Sequence, residues 1–492
     1  MNALARRFDY LFHSTRGLVL VAIAFIGLVT AIFGTLSGPM ADLGLKDISV
    51  RVFGMQLVEA EREARIIMLY HTIAMAVIAI ETYFITAIVP MKKSQQTNIN
   101  AAITVGYITS LVFGLLFAYF GRNFIFHGLF IFGQSLIFFA GLLLAKALWP
   151  WGKDYRQTNP DYARTRGGID LERAAFFTMA VCTLGSALFG AIPGSMFGNG
   201  FESFLAEDVV REPHKTALQL SVIGHLHIML TLIAVALSLI LVRWVDFKGW
   251  MHKVSMPLII AGSIIVTLGV WLVVPFEEIA HIIIYVGSVV VMPAALLLVI
   301  YAWRKFIRDR FASLNIKKWG FWQGVGALLH DPLKFGAFWQ MVYMNFVVTF
   351  VGIFMAIRLD KVMRMMPLRE ERITLTGHWH ILAGIIATII LLYYADLSGL
   401  KGRVRQWFGW LVIAGSDLAF AAVTLFETKR LYVTESAQQP LVNITMLLTD
   451  IGLILVLLVL ATFLIYRLAD LFRSRGRWAS ELAESRSEEV RQ

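Results

Sequence analysis

Histidine is the residue whose type and position in this sequence point most directly to chemistry. Of the eleven histidines, seven lie near the same end of long apolar segments, and these are His71, His127, His225, His227, His281, His378 and His380. Polar side chains at membrane depth are costly, so they are usually paired, ligated or functional. For a single histidine, a hydrogen bond to a neighbouring helix is a sufficient explanation. Seven in one layer favour the hypothesis that several of them are ligands of a metal or of haem iron.

Two of these histidines, His378 and His380, stand one residue apart in the segment GHWH. On an α-helix of about 3.6 residues per turn, positions i and i+2 point about 200° apart, so one helix can serve two sites. Neutral imidazole is the usual axial ligand of haem iron. The spacing therefore predicts two haems beside this helix, one bound by His378 and the other by His380.

The cysteine content excludes several other redox centres. The chain has a single cysteine, Cys182. A CxxCH haem attachment, an iron–sulfur cluster held by this chain alone and an internal disulfide each need at least two cysteines. Any metal bound here must be held mainly by histidine.

The elements that position the histidines follow from composition. The chain has 492 residues, of which 58% are hydrophobic and 16% are charged, and its mean hydropathy is +0.70, values typical of an integral membrane protein. A helix needs about 20 apolar residues to cross a bilayer. We predict a single all-α transmembrane domain over residues 1–492, with twelve helices, numbered spans 1 to 12, at about 17–40, 66–90, 99–121, 124–149, 173–195, 217–243, 253–275, 280–303, 335–357, 373–395, 406–426 and 442–466.

Charge distribution predicts the orientation of these spans. The loops at 91–93, 151–168, 243–253, 304–319 and 400–406 and the C-terminal tail are basic, whereas the loops on the other side are acidic or mixed. By the positive-inside rule, both termini are cytoplasmic, as expected for a multi-pass protein of a prokaryotic-type inner (cell) membrane. The opening segment does not resemble a cleaved signal peptide and is interpreted as a retained tail. The net charge of +11 is then mostly the cytoplasmic surface of a protein in contact with membrane lipid, and not a nucleic-acid interface.

The histidine positions recur at a nearly constant interval. From His71 to His225 is 154 residues, from His225 to His378 is 153, and from His127 to His281 is 154. Three blocks of four helices, each with a histidine at the same place, would give this pattern. We therefore predict a pseudo-three-fold arrangement of four-helix blocks.

With these features the chain resembles the catalytic subunit of the haem-copper oxidase superfamily over nearly its whole length. The shared features are twelve helices, a histidine in span 2, GH in span 6, a histidine before span 8 and HxH in span 10, and span 2, ARIIMLYHTIAMAVIAIETYFITAIVP, looks most like the nitric oxide reductase and C-type oxidase branch. The resemblance implies that His71 and His380 hold a low-spin haem and that His378 holds a high-spin haem. It also implies that His225 binds a non-haem copper or iron. The pair Lys429 and Arg430, in the loop between spans 11 and 12, corresponds to basic residues that bind haem propionates in the family.

The sequence also departs from the family pattern at the non-haem metal site. Family members have two adjacent histidines before span 8, where this chain has Ala280 and His281. Four residues after the GH histidine, the oxidases have a tyrosine and the nitric oxide reductases a glutamate, but this chain has Met229 and adds His227. Span 8 has no lysine of the kind that carries protons in one oxidase class. A standard proton-pumping oxygen reductase is therefore not expected.

Two functional hypotheses remain open. In the first, the chain is a respiratory reductase with two b-type haems. His225 and His281, with His227, Glu277 or Glu278, hold a non-haem iron or copper opposite the His378 haem, where nitric oxide or oxygen is reduced. In the second, a histidine of span 6 ligates the second haem from its far side, and the chain is a non-catalytic b-type cytochrome that links the quinone pool to a partner complex. Both predict an electron-transfer partner subunit with haem c or an iron–sulfur cluster.

Several further polar residues allow more than one interpretation. His127 and the unused histidine of span 6 could face each other across a third pore and bind a further haem, or His127 could simply be hydrogen-bonded. Carboxylates within spans are candidates for proton relay or for structural hydrogen bonding; they are Glu81, Asp417 and Asp450. The remaining histidines are expected to be solvated, and they are His13, His214, His252 and His330.

Overall fold

The computed structural model of the protein describes residues 3–37, 44–58, 62–121, 123–195, 217–357, 368–474 and 476–491. These ranges contain twelve helices long and apolar enough to cross a membrane, and no β-strand beyond two isolated bridges. The predicted all-α, twelve-span class is therefore confirmed. Spans 1 to 12 are Thr15–Ser37, Met68–Ile88, Lys93–Phe120, Phe124–Ala147, Leu171–Ile192, Leu220–Trp244, Trp250–Leu272, Glu277–Ser313, Pro332–Met355, Gly377–Leu397, Gly402–Leu431 and Ser436–Phe472.

Spans 8 and 9 differ from prediction in their bounds or in their helix type. Span 8 continues to Ser313 because RKFIRDRFAS is rich in residues with high helix propensity. Span 9 starts at Pro332, whose missing N–H is tolerated in the first turn. A six-residue π-helix, Tyr343–Val348, interrupts the same span.

Packing follows the predicted period of four spans. The most extensive helix contacts are between spans 3 and 4, spans 7 and 8, and spans 11 and 12. In each of these hairpins two glycines face each other across the interface, so that a Cβ on the first would lie 2.8–3.1 Å from the carbonyl oxygen of the second. The pairs are Gly106 with Gly133, Gly262 with Gly287, and Gly415 with Gly452. Close backbone approach at small residues is the usual way in which membrane helices pack.

The three helices that carry the repeated histidines meet at the centre. Span 6 packs against both span 2 and span 10. Spans 2 and 10 meet through Tyr70 with His380, whose ring centres are 4.8 Å apart, and through Phe84 with Tyr393, also at 4.8 Å. One helix from each block therefore contributes to a shared centre.

Both terminal helices lie at the same end of the bundle. The Tyr10 hydroxyl donates to Oε2 of Glu481 at 2.6 Å, and the Arg467 guanidinium donates to both oxygens of the same carboxylate at 3.0 and 2.7 Å. Helix Ala3–His13 is thereby joined to helix Arg477–Arg491 and to the end of span 12. We name this end the terminal face and the opposite end the far face.

The expectation for solvated histidines is only partly correct. His13 and His330 are exposed, whereas His252 is fully buried. Its Nε2 donates to Glu172 at 3.0 Å, and its Nδ1 accepts from the backbone N–H of Ala163 at 2.9 Å. The prediction for His252 was wrong because the segment before span 5 folds over the start of span 7. His214 lies outside the described residues.

Candidate functional site

Two cavities lie on either side of span 6. Cavity 1, about 590 Å³, is lined by spans 2 to 6, and cavity 2, about 370 Å³, is lined by spans 6 to 10. Both are mainly apolar with a few polar groups, and both fall within the range of about 300–1,000 Å³ usual for cofactor and ligand sites. Six of the seven predicted membrane histidines line them: His71, His127 and His225 in cavity 1, and His227, His281 and His378 in cavity 2.

In each of two helices, two histidines that stand two positions apart point to different sides of the helix. In span 6, His225 lines cavity 1 and His227 lines cavity 2. In span 10, His378 lines cavity 2, while His380 lines neither cavity and packs against Tyr70. The spacing predicted this division for GHWH, and the same geometry applies to GHLH.

In cavity 1, the rings of two histidines, His71 and His225, lie next to each other. The ring centres of His71 and His225 are 6.4 Å apart, with the rings inclined at 41°. Imidazole nitrogens bind a first-row metal at about 2.0–2.1 Å, so two imidazoles on opposite sides of one metal have ring centres about 6.3 Å apart. The observed separation fits two axial ligands of a single haem iron.

Hydrogen bonds hold both of these rings by the same nitrogen. Nδ1 of His225 donates to the carbonyl oxygen of Ser186 at 3.0 Å, and Nδ1 of His71 accepts from the side-chain amide nitrogen of Gln134 at 3.2 Å. Among the described residues, neither Nε2 has a hydrogen-bonding partner. His225 is held as a metal-binding histidine characteristically is, because its second nitrogen donates to an acceptor that fixes the ring and its tautomer. His71 would meet the same pattern with the oxygen of the Gln134 amide turned toward its Nδ1.

Glycines make room for two of the imidazoles. A Cβ on Gly190 of span 5 would lie 2.2 Å from Nδ1 of His225, and a Cβ on Gly352 of span 9 would lie 2.7 Å from Cε1 of His378. In both blocks the glycine is on the helix that precedes the histidine helix. The backbone is therefore shaped around His225 and His378, as expected for rings with fixed positions.

Cavity 2 holds its histidines differently. His227 uses both nitrogens: Nδ1 donates to the carbonyl of Ile223 at 2.8 Å, and Nε2 accepts from the Trp379 indole at 3.0 Å. His378 has a buried Nδ1 with no hydrogen-bond partner in the described part of the chain. His281 lies beside Tyr285, with ring centres 6.4 Å apart. His378 is thus the better placed of the two central histidines to bind iron in cavity 2.

The groupings implied by the family resemblance are not those found in the structure. His225 lies in cavity 1, apart from His281 and His378, and Glu278 is exposed, while its neighbour Glu277 lines cavity 2. Within the described ranges, no three His, Cys, Asp or Glu side chains are grouped closely enough to hold a metal ion.

The implied haem pair of His71 and His380 is also not brought together. Tyr70, not His71, contacts His380. Successive residues of a helix point about 100° apart, so the turn that directs Tyr70 to span 10 directs His71 toward span 6. The structure thus gives His71 a different neighbour, His225.

The remaining predicted site residues are Lys429, Arg430 and His127. Lys429 is buried over the Phe426 ring at 4.2 Å, and neither it nor Arg430 lines cavity 1 or cavity 2. His127 lines cavity 1 and stacks on Phe117, with ring centres 5.0 Å apart.

The three candidate carboxylates have different surroundings. Glu81 is buried and lines cavity 1. Asp417 accepts hydrogen bonds from Trp339 and Gln340. Asp450 is exposed on span 12.

Sequence reasoning missed Gln134, Ser186, Trp379 and the two glycines. Gln134 was identifiable, because it lies seven residues after His127 and hence on the same face of span 4. Ser186 acts through its backbone, and Gly190 through the lack of a side chain, so residue type alone did not mark them.

No protein-family model, curated protein or solved structure matches this chain. The function is therefore inferred from the residues and geometry of the two cavities.

Proposed function

We propose that the protein is a membrane haem oxidoreductase, similar to the catalytic subunits of the haem-copper oxidase and nitric oxide reductase superfamily. Cavity 1 would hold a b-type haem ligated by His71 and His225. Cavity 2 would hold a second b-type haem ligated by His378. The observation that carries the proposal is the 6.4 Å separation of the His71 and His225 rings. A bound haem would supply one-electron chemistry at each site.

In cavity 1 the residues favour electron transfer without catalysis. His71 and His225 would hold the haem from both sides, which would leave no position at the iron for a substrate. The Ser186 carbonyl and Gln134 amide fix the rings, and fixed ligands in an apolar pocket control the reduction potential. Cavity 1 therefore suits an electron carrier.

In cavity 2 the residues favour binding of a small molecule. Trp379 holds His227 by its Nε2, so this imidazole does not occupy the position opposite His378. The lining there includes His281, Glu277 and Tyr285, which can donate or accept protons. Nitric oxide or oxygen could then be reduced in cavity 2, without a three-histidine metal site. A non-haem iron or copper would depend on His281 and Glu277.

A second candidate function rests on His227. Its ring lines the same cavity as His378. If the hydrogen bond from Trp379 opens, His227 can become the second axial ligand in cavity 2. Both haems would then lack an open position, and the protein would be a b-type cytochrome that conducts electrons between the quinone pool and a partner.

Orientation and partners follow from the same proposal. The basic loops lie at the terminal face, so we assign this face to the cytoplasm of a prokaryotic-type cell. The histidine layer then lies near the outer surface. A subunit with haem c or an iron–sulfur cluster, or a quinone, is the expected source of electrons.

The test is the haem and metal content of the purified protein, with spectra of the dithionite-reduced form before and after carbon monoxide. We expect two b-type haems, of which one responds to carbon monoxide, and we expect His378→Ala to remove the responsive one. Two haems that both ignore carbon monoxide would support the electron-conducting cytochrome instead. Absence of haem from a folded preparation, made in cells supplied with haem, would refute both.

A further inference from the structure

A buried glutamate shares cavity 1 with the histidines. Glu81 is only 4% exposed and lines the cavity, and its Oε1 has no hydrogen-bond partner in the described part of the chain. It lies ten residues after His71 on span 2. At about 1.5 Å per residue, it is about 15 Å closer to the terminal face than the histidine. Cavity 1 contains both side chains.

Among the described residues, Glu81 shares this lack of partners with Glu427, which lies outside both cavities, whereas two other carboxylates, Asp417 and Glu172, have partners. Asp417 accepts hydrogen bonds of 2.8 Å from both Trp339 and Gln340. Glu172 is paired with His252 and Arg243. A carboxylate in an apolar interior without such partners is costly to charge, so its protonation depends on the charge of its surroundings.

The other ionisable groups around Glu81 do not provide a fixed positive charge. Those lining cavity 1 are the imidazoles of His71, His127 and His225, on spans 2, 4 and 6. Spans 3 and 5 contribute only uncharged residues to the lining. Tyr83, Tyr107 and Tyr393 are buried on spans 2, 3 and 10, and none of them lines cavity 1. A haem bound to His71 and His225 would therefore be the main source of changing charge in the cavity.

We propose that Glu81 takes up one proton when cavity 1 gains an electron and releases it when the electron leaves. The proposal rests on the function proposed above. In the oxidised state, the extra positive charge at the iron balances the Glu81 carboxylate. Addition of one electron removes that charge, and one proton from water forms an O–H bond at the carboxylate. The electron comes from a hydroquinone-type donor or, in the test, from an electrode.

Several hydroxyl groups lie between Glu81 and the terminal face, in separate hydrogen bonds. Thr82 lines the cavity next to Glu81. One turn further, the Thr86 hydroxyl donates to Asn100 at 2.9 Å, and the hydroxyls of Tyr83 and Thr104 lie 2.6 Å apart. Hydroxyl and carboxyl groups within membrane spans are typical components of proton relays. They favour proton uptake from the terminal face.

The test is a redox titration of the cavity 1 haem at several pH values, combined with redox-difference infrared spectroscopy. In the wild type, the reduction potential should fall as pH rises, by up to about 59 mV per pH unit for one proton per electron. Reduction should also produce the carbonyl band of a protonated carboxylic acid. Glu81→Gln should remove both the band and most of the slope, and Glu81→Asp should restore part of them. Asp417→Asn, which changes a hydrogen-bonded carboxylate at membrane depth, should leave both as in the wild type.

The possible results separate a failure of the Glu81 proposal from a failure of the proposed function. An equal slope in the wild type and in Glu81→Gln, with haem content unchanged, would overturn the proposal for Glu81 alone. Should Glu81→Gln fail to fold, lack of the infrared band in the wild type would overturn it equally. Absence of haem from cavity 1 would instead refute the proposed function.

Discussion

Cavities 1 and 2 share span 6 and contain three histidines each, but they treat the central imidazoles differently. In cavity 1, both His71 and His225 are held by Nδ1, and each Nε2 has no partner among the described residues. In cavity 2, His227 is hydrogen-bonded at both nitrogens, and His378 keeps its Nδ1 without a partner in that part of the chain. The difference teaches that the hydrogen bonds of each imidazole, rather than the number of histidines in a cavity, decide which ring nitrogens are left to bind a metal.

The largest expected effect is loss of the cavity 1 haem on removal of either ligand. We expect His71→Ala and His225→Ala each to lower haem content from two to about one per chain, because an axial ligand is lost. Haem quantification of the purified variants measures this. His330→Ala, at an exposed position, is the control.

Two further variants test which histidine is the partner of His71. If His380→Ala removes the haem and His225→Ala does not, the pairing implied by the family resemblance is correct and the structural pairing is wrong. If His127→Ala removes it and His71→Ala does not, the ligands are His127 and His225.

The next effect concerns the hydrogen bond between Trp379 and His227. In Trp379→Phe, Nε2 of His227 loses the hydrogen bond from the indole, and we expect it to ligate the cavity 2 haem together with His378. We expect the fraction of reduced haem that binds carbon monoxide to fall severalfold, as seen by optical spectroscopy. The double variant Trp379→Phe with His227→Ala should regain the response. A single variant with unchanged carbon monoxide binding would show that Trp379 does not control the open position.

A smaller effect is expected from filling the glycine positions beside the imidazoles. Gly190→Ala places a methyl group against His225, and Gly352→Ala places one against His378. Overpacking costs about 1–3 kcal/mol, so each variant should lower thermal stability and disturb the haem spectrum of its own cavity only. Gly194→Ala is a control on the same helix, two residues beyond the end of span 5, since a Cβ there meets no atom within 4 Å. Equal disturbance of both haems by either variant would show that the cavities are not independent.

Much of the fold followed from the sequence, because hydropathy is a strong signal for membrane helices. The interval between His71, His225 and His378 predicted blocks of four, and the glycine pairs of spans 3–4, 7–8 and 11–12 follow that period. The division of His225 and His227 between two cavities follows from helix geometry alone.

The neighbours of each histidine were not predictable in the same way. Whether His71 faces span 6 or span 10 depends on a rotation of about 100° of span 2, which no local pattern specifies. Both directions are apolar, so the hydrophobic pattern does not decide between them. His252 illustrates another limit, because its burial depends on the fold of the loop before span 5.

The smallest expected effect lies in the bond that holds His71 in cavity 1. Gln134→Leu removes the amide beside Nδ1 of His71 but leaves both proposed ligands in place. A ligating His71 carries its proton on Nδ1 and would donate it to the oxygen of the Gln134 amide, turned toward the ring. Loss of such an outer partner typically weakens metal affinity about 10–100-fold, and the ligand also becomes a weaker electron donor, so the reduction potential of the cavity 1 haem should rise. Haem dissociation rates and a redox titration measure the two changes. Ser135→Ala is the matched control, because Ser135 lines the same cavity but donates only to Ile131 of its own helix. If both variants behave like the wild type, the Gln134 contact does not tune the site, and the Ser186 carbonyl on His225 would be the remaining difference between cavities 1 and 2.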